Sequence, residues 1–287
     1  MIPSLPRPAW LRTATAVYLL AFMAFLFMPL IIVAVFSFND APYPAPPWRG
    51  FTLDWFLGNV QSGRTGLFAD SELLGSIWTS FTVAVWVTLL SVSLGTANAF
   101  LLERGSFPGK QPLSVLMLAP LVIPGVILGI SILAFASRIA EFAADTLGLE
   151  LDFLRPGLPL VVLGQFSYIA TIATLTISAR LRRFDRTLEE AALNLGATKT
   201  AVFRTIVLPY LRPALLGSAS ISFLMSFADF NTTLMLVGAD SPLTVMMYGR
   251  MREGATPVLN AVSLFLMLAS AVLALAVIRR RPEAPAS

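Results

Sequence analysis

The chain contains neither cysteine nor histidine. Without cysteine it can form no disulfide bond and has no thiol nucleophile. The lack of both residues excludes a metal site built from Cys or His. The missing histidine also removes the usual general base near neutral pH. We therefore expect no catalytic residue and no metal site on this chain.

Charged residues are scarce as well. They make up 13% of the 287 residues, whereas a soluble globular domain carries about 25%. Hydrophobic residues make up 56%, including 21 Phe, and the mean hydropathy is +0.78. These values indicate an integral membrane protein.

Long apolar runs then predict how the chain crosses the bilayer. A membrane-spanning helix needs about 20 mostly apolar residues. The first run is too long for the apolar region of a cleaved signal peptide, so we expect it to be retained. Pro120, Pro124 and Pro159 interrupt the third and fourth runs. The sequence predicts an all-α fold with six transmembrane helices, at about 14–38, 76–102, 112–136, 157–179, 211–237 and 256–278.

The distribution of Lys and Arg predicts the orientation of these helices. If the N-terminus is cytoplasmic, fourteen of these cations lie on the cytoplasmic side and six lie outside. An even number of spans then places both termini in the cytoplasm. We expect a cytoplasmic N-terminus over 1–13, a six-helix transmembrane domain over 14–279 and a cytoplasmic tail over 280–287. The largest cytoplasmic loop covers 180–210.

This loop contains an unusually polar stretch, "EEAALNLGATKTAVFRTIVLP", at 189–209. Thr187 followed by Glu190 is a capping-box pattern and predicts a helix beginning at Leu188. Gly196 suits a left-handed cap at its end. One face of this helix is apolar and made largely of alanine, with Leu188, Ala191, Ala192 and Leu195 at helical spacing.

A second short helix is predicted to begin after the cap residue Thr198 and to end at Pro209. Small alanine side chains would let the first helix lie deep in a groove of another protein. The alternative is an amphipathic helix on the lipid surface, where nearby arginines would meet anionic headgroups. Helices that bind lipid favour bulkier apolar residues, so we favour docking to a protein.

The same stretch resembles a known signature. "EAALNLG" at 190–196, nine further residues and "IVLP" at 206–209 match the E-A-A-x-x-x-G-x9-I-x-L-P motif of permease subunits of bacterial ABC importers. The matching residues are Glu190, Ala191, Ala192, Gly196, Ile206, Leu208 and Pro209. The resemblance implies a type I importer permease whose loop is a coupling helix pair.

The resemblance also implies partners. They are a cytoplasmic ABC ATPase dimer that binds the ATP and Mg, a second related permease, a periplasmic solute-binding protein and the lipid bilayer of a bacterial inner membrane. No cofactor is expected on this chain, and nucleic acid is not an expected partner.

Most of the chain is similar to the second permease subunit of spermidine/putrescine-type importers. "PLIIVAVFSFND" at 29–40 and "ISFLMSFADFNTTLMLVG" at 221–238 carry this likeness. Gln165 stands where that group often has His, and Thr171 where it often has Pro. A polyamine is thus the implied solute, with ferric iron, thiamine and phosphonate as alternatives carried by related permeases.

Asp229 is the single carboxylate within a predicted span, and a charge at the bilayer centre costs at least about 2.5–3.5 kcal/mol. Its spacing predicts a polar stripe along the fifth span, formed by Ser218, Ser222, Ser226, Asp229 and Thr233. Such a stripe suits the wall of a cation route, or alternatively hydrogen bonds between helices. Gln165, Tyr168 and Trp86 are further candidates for this route.

Two other patterns bear on function. Gly125 and Gly129 form a G-x-x-x-G pair that allows close helix contact. An ion-coupled secondary transporter usually has inverted repeats and several intramembrane ionisable residues, and neither is visible in this sequence. A membrane-embedded enzyme would lack catalytic groups for the reasons given above.

Overall fold

The computed structural model describes residues 9–254 and 256–279. The predictions for residues 1–8 and 280–287, including Arg7, Arg280 and Arg281, lie outside the described residues. Within them every regular element is helical, and β-structure is limited to two isolated bridges. The chain is therefore an all-α membrane protein. It divides into two compact units, described in turn below.

The first unit comprises residues up to Ser71 together with the segment from Arg250 to Ala269. Its longest helix is α1 (Ala9–Phe36), whose apolar side chains are mostly exposed to the surroundings. A short helix, α2 (Asp54–Leu57), follows a loop. This loop is fastened by a 2.8 Å hydrogen bond from Trp55 Nε1 to the carbonyl oxygen of Asn39. An ion pair joins Asp70 to Arg250.

The second unit contains most of the remaining helices. They are α3 (Ser71–Arg104), α4 (Lys110–Leu116), α5 (Ala119–Val122), α6 (Gly125–Leu147), α7 (Leu158–Leu181), α8 (Thr187–Asn194), α9 (Lys199–Val202), α10 (Leu208–Phe227), α11 (Asn231–Leu236) and α12 (Leu243–Glu253). The last four residues of α12, 250–253, belong to the first unit. A further helix, α13 (Val258–Arg279), begins in the first unit and ends in the second.

The third predicted span has different bounds from those expected. The run at 112–136 is split into α4 and α5, and the long helix α6 begins only at Gly125. Pro124 explains the break, because a residue before proline avoids the helical region and Ile123 is extended, with ψ of 129°. Gly148 then caps α6 in the left-handed conformation, with φ of +61°.

The fifth predicted span is also corrected. Pro209 does not end a helix, because α9, a π-helical segment (Phe203–Val207) and α10 form one continuous stretch to Phe227. The wider π turn lies directly before Pro209. It lets the helix continue although proline has no backbone N–H to donate. The chain then breaks after Phe227 and resumes as the short helix α11.

Five helices in the described part of the chain are long and apolar enough to cross a membrane. They are Trp10–Phe36, Ser71–Arg104, Gly125–Leu147, Leu158–Leu181 and Lys199–Phe227. The sixth predicted span coincides with α13, which contains a shorter apolar run from Val258 to Val272. The total of six spans and the side of the termini stay predictions.

Glycines allow the closest helix contacts of the second unit. A Cβ on Gly129 would lie 2.8 Å from Met235 Cβ, and one on Gly125 would lie 3.1 Å from Asn231 Cβ. The prediction that this pair permits close contact is confirmed, and the contacting helix is α11. Gly95 of α3 similarly packs directly against the backbone of α7.

Candidate functional site

The polar stretch forms helix α8, which begins one residue earlier than predicted. The cap is provided by Asp185, whose Oδ1 accepts hydrogen bonds from Thr187 N (2.9 Å) and Thr187 Oγ1 (2.8 Å). The capping-box prediction for Thr187 and Glu190 is therefore wrong, because the preceding carboxylate occupies the Thr187 hydroxyl. The backbone N–H of Thr187, and then its hydroxyl, lower the pKa of Asp185, which stays charged at neutral pH.

The end of α8 and the bend after it follow the prediction. Gly196 is left-handed, with φ of +88°. Its N–H donates to Leu193 O at 2.9 Å, and the N–H of Ala197 donates to Ala192 O at 3.0 Å. This pair of bonds is the Schellman motif. Thr198 caps the next helix as predicted, because its Oγ1 accepts from Ala201 N at 3.2 Å.

The signature residues of α8 point in two directions. Ala192 packs with Ile206 against a buried cluster formed by Leu181, Phe184, Val202, Val207 and Leu211. Glu190, Ala191 and Leu188 are exposed, and Leu195 is 89% exposed. Leu208 and Pro209 are exposed in the first turn of α10. The structure thus leaves an apolar face of α8 without a partner inside the second unit.

Five of the eight predicted pathway residues lie in one hydrogen-bond network. Gln165 Nε2 donates to Thr233 Oγ1 at 2.8 Å, and Ser226 Oγ donates to Gln165 Oε1. Asp229 Oδ2 accepts from Thr233 Oγ1 at 2.7 Å and from Thr233 N at 2.9 Å. Tyr168 donates its hydroxyl to Asp229 Oδ1 at 3.1 Å. The network joins α7, α10 and α11.

The predicted stripe does not run along a single helix. Ser226 lies on α10 and Thr233 lies on α11, while Asp229 lies in the break between them and caps α11. Ser222 is fully buried on α10, and its hydroxyl has no hydrogen-bond partner among the described residues. Trp86 is exposed and lies outside the network.

Asp229 is partly exposed, and three hydrogen bonds reach its carboxylate. These donors compensate for the removal of the charge from water. In the described chain no three His, Cys, Asp or Glu side chains lie together in a way that could hold a metal ion. Within the network Asp229 and Tyr168 are partly exposed, whereas Gln165, Ser226 and Thr233 are buried. The network can therefore present the Asp229 carboxylate and the Tyr168 hydroxyl to a small polar or cationic solute.

Sequence reasoning missed the residues that fasten α8 to the rest of the second unit. Glu189 forms an ion pair with Arg104 at the end of α3, and Arg186 donates to the carbonyl oxygen of Glu103 at 2.9 Å. Glu189 directly precedes the signature, which could have drawn attention to it. Arg104 has no comparable local signal, because it lies 85 residues away in the chain.

Comparison with known proteins places this site in context. The family model described as "Binding-protein-dependent transport system inner membrane component" matches residues 91–280. The putrescine transport system permease protein PotI of Escherichia coli K12 is 29% identical over 253 residues, which cover 88% of this chain and 84% of PotI. The spermidine/putrescine permease PotC of Haemophilus influenzae is 28% identical, with 87% and 89% covered.

Solved structures give the same fold. A chain of a bacterial ABC transporter involved in the import of the acidic polysaccharide alginate superposes with a TM-score of 0.70 at 18% identity. This match covers 94% of each chain. A chain of the MetNI methionine ABC transporter matches with a TM-score of 0.51 at 18% identity, over 72% of this chain and 91% of that one. At such identities these neighbours show the fold alone.

Proposed function

The chain belongs to the binding-protein-dependent transport system inner membrane component family, and from this premise we propose that it carries putrescine, spermidine or a related small cation. It is a non-catalytic permease subunit of a type I ABC importer, in which a separate subunit hydrolyses ATP. The proposal adds the solute, the coupling element and the route.

One observation carries the coupling part of the proposal, namely the exposed face of α8 beside the bend at Gly196. Ala191 and Leu195 are apolar and exposed, and Glu190 lies next to them. A cleft on a cytoplasmic ATPase dimer would cover this face, and closure of the dimer on ATP and Mg would move α8. Of the signature residues, Gly196 fixes the bend after α8, and Ile206 anchors the bend against the buried cluster.

Two further partners belong to the proposal. A second, related permease subunit would complete the membrane domain, and a periplasmic solute-binding protein would deliver the solute to the bacterial inner membrane. The alternative for α8 is a place on the phospholipid surface. Glu190, which is exposed on α8, opposes this alternative because anionic headgroups repel a carboxylate.

The solute part of the proposal is supported by the transport functions of the relatives and by Asp229. PotI is a putrescine permease, and PotC is a spermidine/putrescine permease. A carboxylate surrounded by hydroxyl groups suits a diamine, which carries ammonium groups that donate hydrogen bonds. An anion is the second candidate, since the sulfate permease CysT of Salmonella typhimurium is 27% identical over 208 residues.

Reconstitution tests the proposal as a whole. The chain is purified with its ATPase, second permease and binding protein, and is placed in liposomes of phosphatidylethanolamine and phosphatidylglycerol. We expect ATP-dependent uptake of radiolabelled putrescine that excess spermidine inhibits and excess sulfate does not. Inhibition by sulfate alone would favour the anion. Failure of the ATPase to co-purify would contradict the coupling role.

Replacing Asp229 with asparagine tests the cation route. The amide oxygen of D229N can still accept hydrogen bonds from Thr233, but the negative charge is lost. We expect the apparent KM for putrescine to rise about fivefold, because Asp229 is partly exposed and a charge pair at about 4 Å is worth about 1 kcal/mol where water screens it. The maximal rate of ATP hydrolysis should change little.

The control for this variant is Asp240→Asn, which removes an exposed carboxylate outside the network. It should leave the KM unchanged. An unchanged KM in D229N, together with a lower thermal stability of D229A, would mean that Asp229 serves as a helix cap alone.

A further inference from the structure

Arg104 of α3 forms an ion pair with Glu189 of α8, 85 residues away in the chain. The guanidinium group, at the C-terminal end of α3, contacts both carboxylate oxygens of Glu189, with an Nη1–Oε2 distance of 2.9 Å. The two side chains are only 27% and 19% exposed. A paired, two-point contact of this kind fixes direction as well as distance, because the guanidinium fork is planar.

Aromatic rings hold the guanidinium group of Arg104 in place. Its central carbon lies 4.9 Å from the ring centre of Phe100 and 5.8 Å from that of Phe184. Phe100 is one turn earlier on α3, and Phe184 follows the end of α7. The stacked rings remove water from the ion pair and strengthen it relative to a fully exposed one.

The aromatic contacts continue from Phe184 to α10 and α7. Phe184 packs edge-on against Tyr210, with ring centres 4.9 Å apart. Arg180 lies 4.1 Å above the Tyr210 ring and donates from Nε to the Tyr210 carbonyl oxygen at 3.3 Å. In return, Tyr210 donates its hydroxyl to Arg180 O at 3.4 Å. We call the chain of contacts Glu189, Arg104, Phe184, Tyr210 and Arg180 the arginine–aromatic ladder.

We propose that Arg104 is a positioning residue that transmits movement of α8 to α3 and, through the arginine–aromatic ladder, to α7 and α10. This inference rests on the proposed coupling role of α8. The ladder reaches three membrane-spanning helices through packed side chains, whereas the apolar face of α8 stays open for the ATPase. Movement of α8 can therefore reach α3 through Arg104, in addition to the direct connection of α8 to α10 through the bend at Gly196.

Other contacts of α8 cannot replace this link. Arg186, directly before α8, donates a single hydrogen bond to Glu103 O at 2.9 Å from an exposed side chain. Arg182, which follows α7, donates from Nε to Glu103 Oε1 at 2.8 Å, but its side chain is 69% exposed, and exposed pairs contribute little. Ala192 contributes a small side chain to the buried cluster. The segments on both sides of α8 are turns, at Arg182–Arg183 and at Gly196. Without the Arg104 pair, the exposed Arg186–Glu103 hydrogen bond would hold α8 to α3 more weakly.

Variants of the ion pair test the inference in the reconstituted complex. R104Q and E189Q should still assemble with the ATPase and hydrolyse ATP, but the putrescine transported per ATP should fall about fivefold. R104K should be only partly active, because an ammonium group cannot make the planar two-point contact. Arg183→Gln is the control, since Arg183 is an exposed cation at the same end of α7.

A second measurement does not depend on the solute. Because the chain has no cysteine, single cysteines for spin labels can be introduced at Leu90 on α3 and Leu193 on α8. Electron paramagnetic resonance of the assembled complex should give one narrow distance distribution through the ATP cycle. The same distribution should broaden in R104Q and stay narrow in Arg183→Gln.

The possible outcomes are distinct. A normal transport ratio in R104Q would overturn the ladder while leaving the importer role intact. An unchanged distance distribution in R104Q would overturn it as well. Loss of the ATPase from the wild-type complex would instead contradict the proposed function on which the ladder rests.

Discussion

Replacing Gly196 with valine should lower putrescine uptake at least about tenfold, while the protein still reaches the membrane. Gly196 has φ of +88°, where a residue with a side chain is strained. The left-handed conformation costs an ordinary residue about 1–2 kcal/mol, and a β-branched residue tolerates it least. A free-energy change of about 1.4 kcal/mol is a factor of ten in an equilibrium.

The effect is large because the strain falls at the end of helix α8. Gly196 N and Ala197 N close α8 by bonding to Leu193 O and Ala192 O. Rotating Gly196 out of the left-handed region breaks both bonds and swings the start of α9 away from α8. The exposed face with Ala191 and Leu195 would then no longer meet the ATPase in one orientation.

Gly148 offers a matched control. It caps α6 with φ of +61°, and a Cβ at Gly148, as at Gly196, meets no atom within 4 Å. G148V therefore introduces similar backbone strain without steric overlap, at a position outside the coupling loop. Uptake by G148V should stay within about twofold of wild type, on the order expected for a surface substitution. Equal losses in G148V and G196V would contradict a special role for the bend.

Replacing Gly95 with leucine should prevent normal folding of the second unit. A Cβ at Gly95 would lie 2.8 Å from Ala173 Cβ and 2.9 Å from Thr174 N, so α3 and α7 approach each other at this glycine. The atoms in the way belong to the backbone and a Cβ, which cannot rotate aside. Overpacking of this kind typically costs 1–3 kcal/mol, and for leucine at backbone contact we expect about 3 kcal/mol or more.

Gly75 is the matched control for this variant, because it lies on the same helix with no atom within 4 Å of its Cβ position. Thermal denaturation of the detergent-solubilised complex, followed by size-exclusion chromatography, measures the difference. G95L should lower the midpoint by about 10 °C or abolish the monodisperse peak, whereas G75L should change it little. A normal midpoint for G95L would mean that α3 and α7 are not in direct contact.

The sequence predicts the structural role of Gly196 more readily than that of Gly95. Gly196 stands inside a signature and after a helical run, so its left-handed conformation could be predicted. Gly95 was missed, although Ser91, Gly95 and Ala99 recur every four residues and are all buried. This spacing of small residues is the signal that could have found the contact with α7.

Local chemistry explains why some predictions succeeded and others failed. In lipid no water is present, so backbone N–H and C=O groups must hydrogen-bond to one another. Long apolar runs such as those in α1 and α7 could therefore be assigned as helices. Proline gave ambiguous signals: Pro124 precedes the start of α6, whereas Pro209 lies within a continuous helix behind a π turn. The difference depends on whether the neighbouring hydrogen bonds can rearrange, and composition does not determine that.

The sequence by itself determined that the chain lies in lipid, that its fold is all-α, that the loop bends at Gly196 and which family signature it carries. Each of these results follows from composition or from residues within one or two turns. Only the tertiary structure decided that Glu189 meets Arg104 across 85 residues and that Tyr168 meets Asp229 across 61. Such pairs depend on which helices pack side by side and at what register. That choice is made by many small contacts between helices, such as Gly95 against Ala173, and no single stretch of sequence contains it.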